Sequence, residues 1–117
     1  MSQELTLPWP DKVLSPNGRY HWVVKSRAVK AYRMTCWALA LEAKLKAPAE
    51  GPIDVYLTFR PPSNRHFDQD GLISRMKSGL DGLADALGVN DQRFRIKPVM
   101  GTPCPPGAVW VSIARGA

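Results

Sequence analysis

Ile53-Asp54-Val55-Tyr56-Leu57-Thr58-Phe59-Arg60 is the stretch whose reading decides the fold. Ile53, Val55, Leu57 and Phe59 fall on one side of an extended chain. Asp54, Tyr56, Thr58 and Arg60 fall on the other. Strict alternation marks a strand with one face in a core, and Pro52 opens the run. The loop Pro61-Pro62-Ser63-Asn64-Arg65-His66-Phe67 follows. Beyond it the period changes from two to between three and four. Leu72 or Ile73, Met76, Leu80, Leu83 and Leu87 define the apolar stripe of one helix from Asp70 to Leu87, and Gly88 is a C-terminal stop. Gly71, Gly79 and Gly82 each cost such a helix about 1 kcal/mol against Ala, so tertiary packing must hold it.

Upstream, Leu5, Leu7 and Trp9 alternate with Thr6 and Pro8. This predicts a short strand from Glu4 to Trp9, near a sheet edge because of Pro8. Asp11 to Tyr20 carries the turn signals Ser15-Pro16-Asn17-Gly18 and reads as loop. Ser26 is the expected cap of a helix from Arg27 to Lys46, ended by Pro48. Its apolar stripe is Val29, Tyr32, Cys36, Leu39 and Ala43, widened by Trp37 and Leu41. Downstream, Phe94 to Met100 and Ala108 to Arg115 read as strands joined into a hairpin by the Gly/Pro-rich turn Gly101 to Gly107. The order β-α-β-α-β-β implies a single small α+β domain at residues 1–117, a mixed sheet packed on two helices.

The composition agrees with one folded domain. The 117 residues are 44% hydrophobic and 22% charged, an ordinary globular balance. No apolar run approaches the roughly 20 residues that span a bilayer. The start, MSQELTLPWPDK, lacks the basic-then-apolar order of a signal peptide, so the expectation is a cytoplasmic protein. Cys36 and Cys104 show neither disulfide nor zinc spacing.

Charge is uneven. The chain carries 16 Lys+Arg and 10 Asp+Glu, a formal +6. Arg19, Lys25, Arg27, Lys30 and Arg33 follow one another with no acid among them, whereas Asp68, Asp70, Asp81, Asp85 and Asp91 supply half of all the acids. A basic body with one acidic knot suits a metal-dependent enzyme that cuts phosphodiesters: the body attracts the polyanion and the knot holds the cation. A basic protein with a solvated acidic helix face would read the same way. Asp68-Gln69-Asp70 stands where loop becomes helix, and there two carboxylates can converge on one cation, joined by Asp91 if the following strand returns beside the second. Helix capping by Asp68 or Asp70 is the alternative. With Asp70 at 0°, Ser74 falls at about 40°, Lys77 at about −20° and Asp81 at about 20°, one polar stripe. Lys77 would then neutralise charge on a scissile phosphate, or merely pair with Asp81.

Leu5-Thr6-Leu7-Pro8-Trp9-Pro10, Asp68-Gln69-Asp70-Gly71-Leu72, Lys77-Ser78-Gly79-Leu80-Asp81-Gly82-Leu83 and Asn90-Asp91-Gln92-Arg93-Phe94 together resemble the RusA family of small, often prophage-encoded Holliday junction resolvases. The resemblance runs over nearly the whole chain, and the order and spacing of the motifs carry it. It implies a homodimeric, Mg²⁺-dependent endodeoxyribonuclease, with Mn²⁺ as a substitute, that cuts four-way junction DNA by paired, symmetric nicks in recombination and repair. Asp68, Asp70 and Asp91 match its metal-binding aspartates. Lys77 matches its catalytic lysine across a three-residue insertion. Asn90 replaces the acid before the third aspartate, and Gly71 stands where the family has Asn. Lys25, Arg27, Lys30, Arg33, Arg60, Arg65 and Arg75 are the candidates for the DNA backbone. Trp37, Leu41, Val109, Trp110, Val111 and Ile113 are the apolar material for a two-fold contact. The competing reading is a module that binds junctions or single strands without cutting them.

Overall fold

In the computed structural model, which describes residues 3–16 and 19–116, four strands form one mixed sheet with helices on one face. The strands are β1 (Gln3–Pro8), β2 (Ile53–Arg60), β3 (Phe94–Met100) and β4 (Ala108–Arg115). The helices are α1 (Trp22–Glu42), α2 (Gln69–Arg75) and α3 (Lys77–Leu87). Short 3₁₀ turns occupy Lys12–Leu14 and Asp91–Arg93. Of the first loop's turn signals, Asn17 and Gly18 lie outside the described residues.

The alternation in β2 is realised: Ile53, Val55, Leu57 and Phe59 are all fully buried. Leu7, Val109, Val111 and Ile113 join them from the neighbouring strands. Strand β1 lies at an edge, where the missing N–H of Pro8 does no harm.

The expected hairpin does not form. Sheet order is β1-β4-β2-β3, so β2 lies between β3 and β4. Strand β3 runs parallel to β2, with Ile53 beside Phe94 and Phe59 beside Met100, and β4 is antiparallel to both β2 and β1. Parallel neighbours need a crossover, and α2 with α3 supplies it. The Gly101 to Gly107 turn therefore carries the chain past β2. Gly101 N–H donates to the Phe59 carbonyl and Cys104 N–H to that of Pro61 along the way.

The helix borders also move. His21, not Ser26, caps α1: its Nδ1 accepts the Val23 N–H at 3.2 Å. The helix ends at Glu42 because Lys44 turns left-handed, φ 57°. Leu45 N–H then reaches the Ala40 carbonyl and Lys44 N–H that of Leu41, closing the end as a Schellman motif. Gly88, φ 67°, closes α3 in the same manner. The single helix expected from Asp70 to Leu87 is divided at Met76, whose fully buried side chain anchors the joint between α2 and α3.

Tyr32, Cys36 and Ala40 are the buried residues of α1, while Val29, Trp37, Leu41 and Ala43 of the expected stripe are exposed. The reason is the closeness of α3. Gly82 has its Cα so near α1 that a Cβ would stand 2.3 Å from the Arg33 carbonyl oxygen, and Gly79 faces the Tyr32 ring. Glycine at these two points lets the backbones approach and narrows the stripe that α1 must bury.

Candidate nucleic-acid interface and catalytic groove

The crossover places the acidic knot. Asp68 and Asp70 stand at its start, in the N-cap and first turn of α2, and Asp91 stands beyond its end, just before β3. All three are exposed. Asp68 makes no side-chain capping bond, although capping was one reading of it. None of the three carboxylates has a hydrogen-bond or ion-pair partner among the described residues. By contrast, Asp11 accepts from Val13 N–H and Asp85 accepts from Arg33.

Within this one chain the three aspartates do not converge. Among the described residues no three His, Cys, Asp or Glu side chains form a group that could hold a metal ion. What does come together is a different set. Ser74, Lys77, Asp81 and Asp91 line one cavity of about 330 Å³, walled by Ile73, Leu80, Phe94 and Ile96. Asp81 and Asp91 also line an adjoining depression of about 310 Å³ with Arg33, Asp85 and Asn90. Ser74, Lys77 and Asp81 share the expected polar stripe, and Asp70 does not reach this cavity. Asp70 stands one turn before Ser74, in the first turn of α2.

Lys77 forms no ion pair with Asp81; the one salt bridge among the described residues is Arg33–Asp85. Its ammonium is exposed at the rim of the cavity and has no hydrogen-bond partner there. Asp81 was legible as a stripe member but not as a site residue. The signal for it was its spacing of four from Lys77, which places both on one side of α3.

The basic candidates are spread over several places. Lys25 and Arg75 come together with Lys77 around a groove of about 380 Å³ between α1, α2 and α3. Arg33 is tied to Asp85 by two hydrogen bonds of 2.8 and 3.1 Å. That pairing raises the Arg33 pKa and holds the Asp85 carboxyl below the usual carboxylate range. Arg60 stands apart on the uncovered sheet face, bonded to Thr102 and 4.3 Å above the Trp110 ring. Arg65 lies 5.0 Å from the Phe67 ring. Arg27 and Lys30 are exposed on α1. His21 stacks on Trp22, which is 74% exposed.

A depression of about 500 Å³ lies on that sheet face, lined by Thr6, Tyr56, Thr58, Trp110 and Ser112 with Glu4 at its edge. No lysine or aspartate is among its lining residues.

No family model matches the chain. It is similar to an uncharacterized protein of Xylella fastidiosa strain Temecula1, 45% identical over 101 residues, which cover 84% of this chain and 66% of the relative. The chain thus spans just under two-thirds of that relative's length.

Proposed function

We propose that this chain is a RusA-like, Mg²⁺-dependent endodeoxyribonuclease that resolves four-way DNA junctions by paired nicks. The observation that carries the reading is Lys77. Its ammonium is unpaired at the rim of a cavity that also holds Asp81 and Asp91, and it borders the groove where Lys25 and Arg75 stand. A phosphodiester drawn to the cations would meet a lysine able to stabilise charge on its oxygens, with carboxylates alongside. The motif resemblance supplies the substrate.

The donor chemistry fits magnesium. Asp68, Asp70 and Asp91 offer hard carboxylate oxygens free of internal partners. Mg²⁺ commonly takes one or two carboxylates and fills its octahedron with water and phosphate oxygens. In this reading one or two of those aspartates would hold the ion within one chain, and when bound it would supply an acidified water and a polarised phosphate. Lys77 stabilises the charge that builds on the phosphoryl oxygens, and the basic groove orients the strand.

The second reading, a binding module without cleavage, draws on the absence of a three-carboxylate group among the described residues. One experiment separates the two: nicking of a synthetic four-way junction with and without Mg²⁺, beside a gel shift on the same DNA. We expect metal-dependent paired nicks, abolished by Asp70→Asn with binding retained, and reduced by Lys77→Ala. Binding without nicking under Mg²⁺ or Mn²⁺ establishes the module instead. Parallel loss of binding and cleavage in Asp70→Asn makes Asp70 structural.

A further inference from the structure

We infer that the groove between α1, α2 and α3 is a phosphate-binding subsite that takes one internal phosphodiester of a nucleic-acid strand. Three elements each contribute a cation: Lys25 from α1, Arg75 from α2 and Lys77 from α3. Asp81 is the only acid lining it among the described residues, so these side chains carry an excess of two formal positive charges. Two of the cations are held in place by backbone carbonyls. Lys25 Nζ donates to the Ser15 carbonyl at 3.0 Å, and Arg75 Nη1 to that of Pro10 at 3.4 Å. Each is thereby fixed by one hydrogen and keeps the others for a ligand: two on the ammonium, four on the guanidinium. Anchored cations lose less side-chain freedom on binding than free ones.

Ser78 is the second observation. It lines the same groove, is 6% exposed, and its Oγ is buried with no hydrogen-bond partner among the described residues. A buried hydroxyl with nothing to bond is rare in a folded protein and marks a place for a missing partner. An oxyanion answers both features, since its oxygens accept from ammonium, guanidinium and hydroxyl alike. A phosphodiester, with one negative charge, fits a groove of this net charge.

Position favours an internal link of a strand over a free ion. Ser74, Lys77 and Asp81 line both this groove and the cavity that contains Asp91. A strand lying in the groove therefore continues into the candidate catalytic cavity. The subsite would hold the phosphate next to the reacting one. The inference rests on the nuclease reading for the polymer that carries the phosphate, and on the groove alone for its anion chemistry.

The test uses the full chain without metal. Isotope-labelled protein is titrated with inorganic phosphate and with a short DNA duplex, with and without a 5′-phosphate. The variants are Lys25→Ala, Arg75→Ala and the remote control Lys46→Ala; Lys25→Gln and Arg75→Lys serve if an alanine variant fails to fold. We expect inorganic phosphate to move the amide signals of residues 25 and 74–78. Lys25→Ala and Arg75→Ala should each weaken duplex binding about tenfold and lower its log–log salt slope by about one. Lys46→Ala should bind as wild type, and removal of the 5′-phosphate should change nothing. Wild-type binding in both groove variants overturns the subsite, even if the protein cuts junctions. Phosphate signals confined to the groove without any DNA binding uphold the anion site and sink the nuclease reading. Binding that requires the 5′-phosphate overturns the assignment to an internal link.

Discussion

At Gly82 a single methyl group decides whether α1 and α3 can pack. Its Cβ would stand 2.3 Å from the Arg33 carbonyl oxygen and 3.1 Å from the Trp37 nitrogen, both backbone atoms that cannot rotate away. Gly82→Ala should therefore destabilise the fold by about 1–3 kcal/mol despite its better helix propensity. Gly71 is the control: its nearest neighbour, Asp68 Oδ2, lies at an ordinary 3.5 Å. Gly71→Ala should stabilise by up to about 1 kcal/mol. Chemical denaturation of the two variants checks both, and a stability gain at position 82 would refute the close approach. The two thiols diverge for a similar reason of place. Cys36 is fully buried, and burial pushes its pKa up to about 12, whereas Cys104 is exposed. A thiol reagent at neutral pH should titrate one group at once and the other only on unfolding. Because the folded pKa of Cys36 lies above the unfolded one, its contribution to stability is complete below about pH 9 and is lost as pH rises toward 12. Cys36→Ala should flatten that alkaline loss while lowering stability overall.

Between elements, Arg33 and Asp85 clamp α1 to α3 through a two-bonded pair, each side chain about half exposed. The Asp85 carboxyl is held below its ordinary range, first by the hydrogen bond from Arg33, so the pair contributes above the unfolded carboxylate pKa. That contribution disappears as pH falls through the lower folded value. The pair also bears on DNA binding, because Arg33 is already neutralised. Arg33→Ala should leave the salt dependence of duplex binding almost unchanged. Asp85→Ala should free the guanidinium and tighten binding at low salt. Fluorescence anisotropy across a salt series measures both, and a large loss of affinity in Arg33→Ala would place Arg33 on the DNA after all. The existence of the helices was legible here from spacing, and for α1 so were Tyr32 and Cys36 as buried residues. The capping by His21 and the division at Met76 were not. An imidazole nitrogen capping a helix leaves the same sequence trace as any loop histidine, and every residue from Gln69 to Leu87 is compatible with one continuous helix.

For the whole molecule, the proposed paired nicking needs two equivalent sites, which a two-fold dimer provides without further sequence. Of the apolar residues available for such a contact, Val109, Val111 and Ile113 are consumed by the chain's own core. Trp37, Leu41 and Trp110 remain exposed, on α1 and on the uncovered sheet face. Sedimentation at micromolar concentration should give twice the 13.0 kDa chain mass. A mass of one chain, unchanged by junction DNA, would contradict the resolvase reading and favour the binding module. No helix of the described residues is long and apolar enough to cross a membrane.

The sequence by itself determined which segments are strands and helices, and which face of β2 is buried, because alternation and helical period are local properties of the chain. The Phe94 to Met100 and Ala108 to Arg115 strands are found at the expected residues. Pairing is not local. Two strands separated by a seven-residue turn satisfy hairpin rules, yet here each bonds instead to β2, and only the assembled sheet shows it. The same holds for the acidic knot. The resemblance implied that Asp68, Asp70 and Asp91 share one centre, with Asp91 joining if the following strand returned beside the second; β3 does lie beside β2, with Asp91 just before its start, while Asp68 and Asp70 follow the end of β2. Side chains brought round by the packing of α1, α2 and α3, with Asp81 and Ser78 among them, line the grooves instead. Which residues line a groove depends on how helices lean on one another, and that is settled by glycines, buried volume and backbone contact across the whole fold.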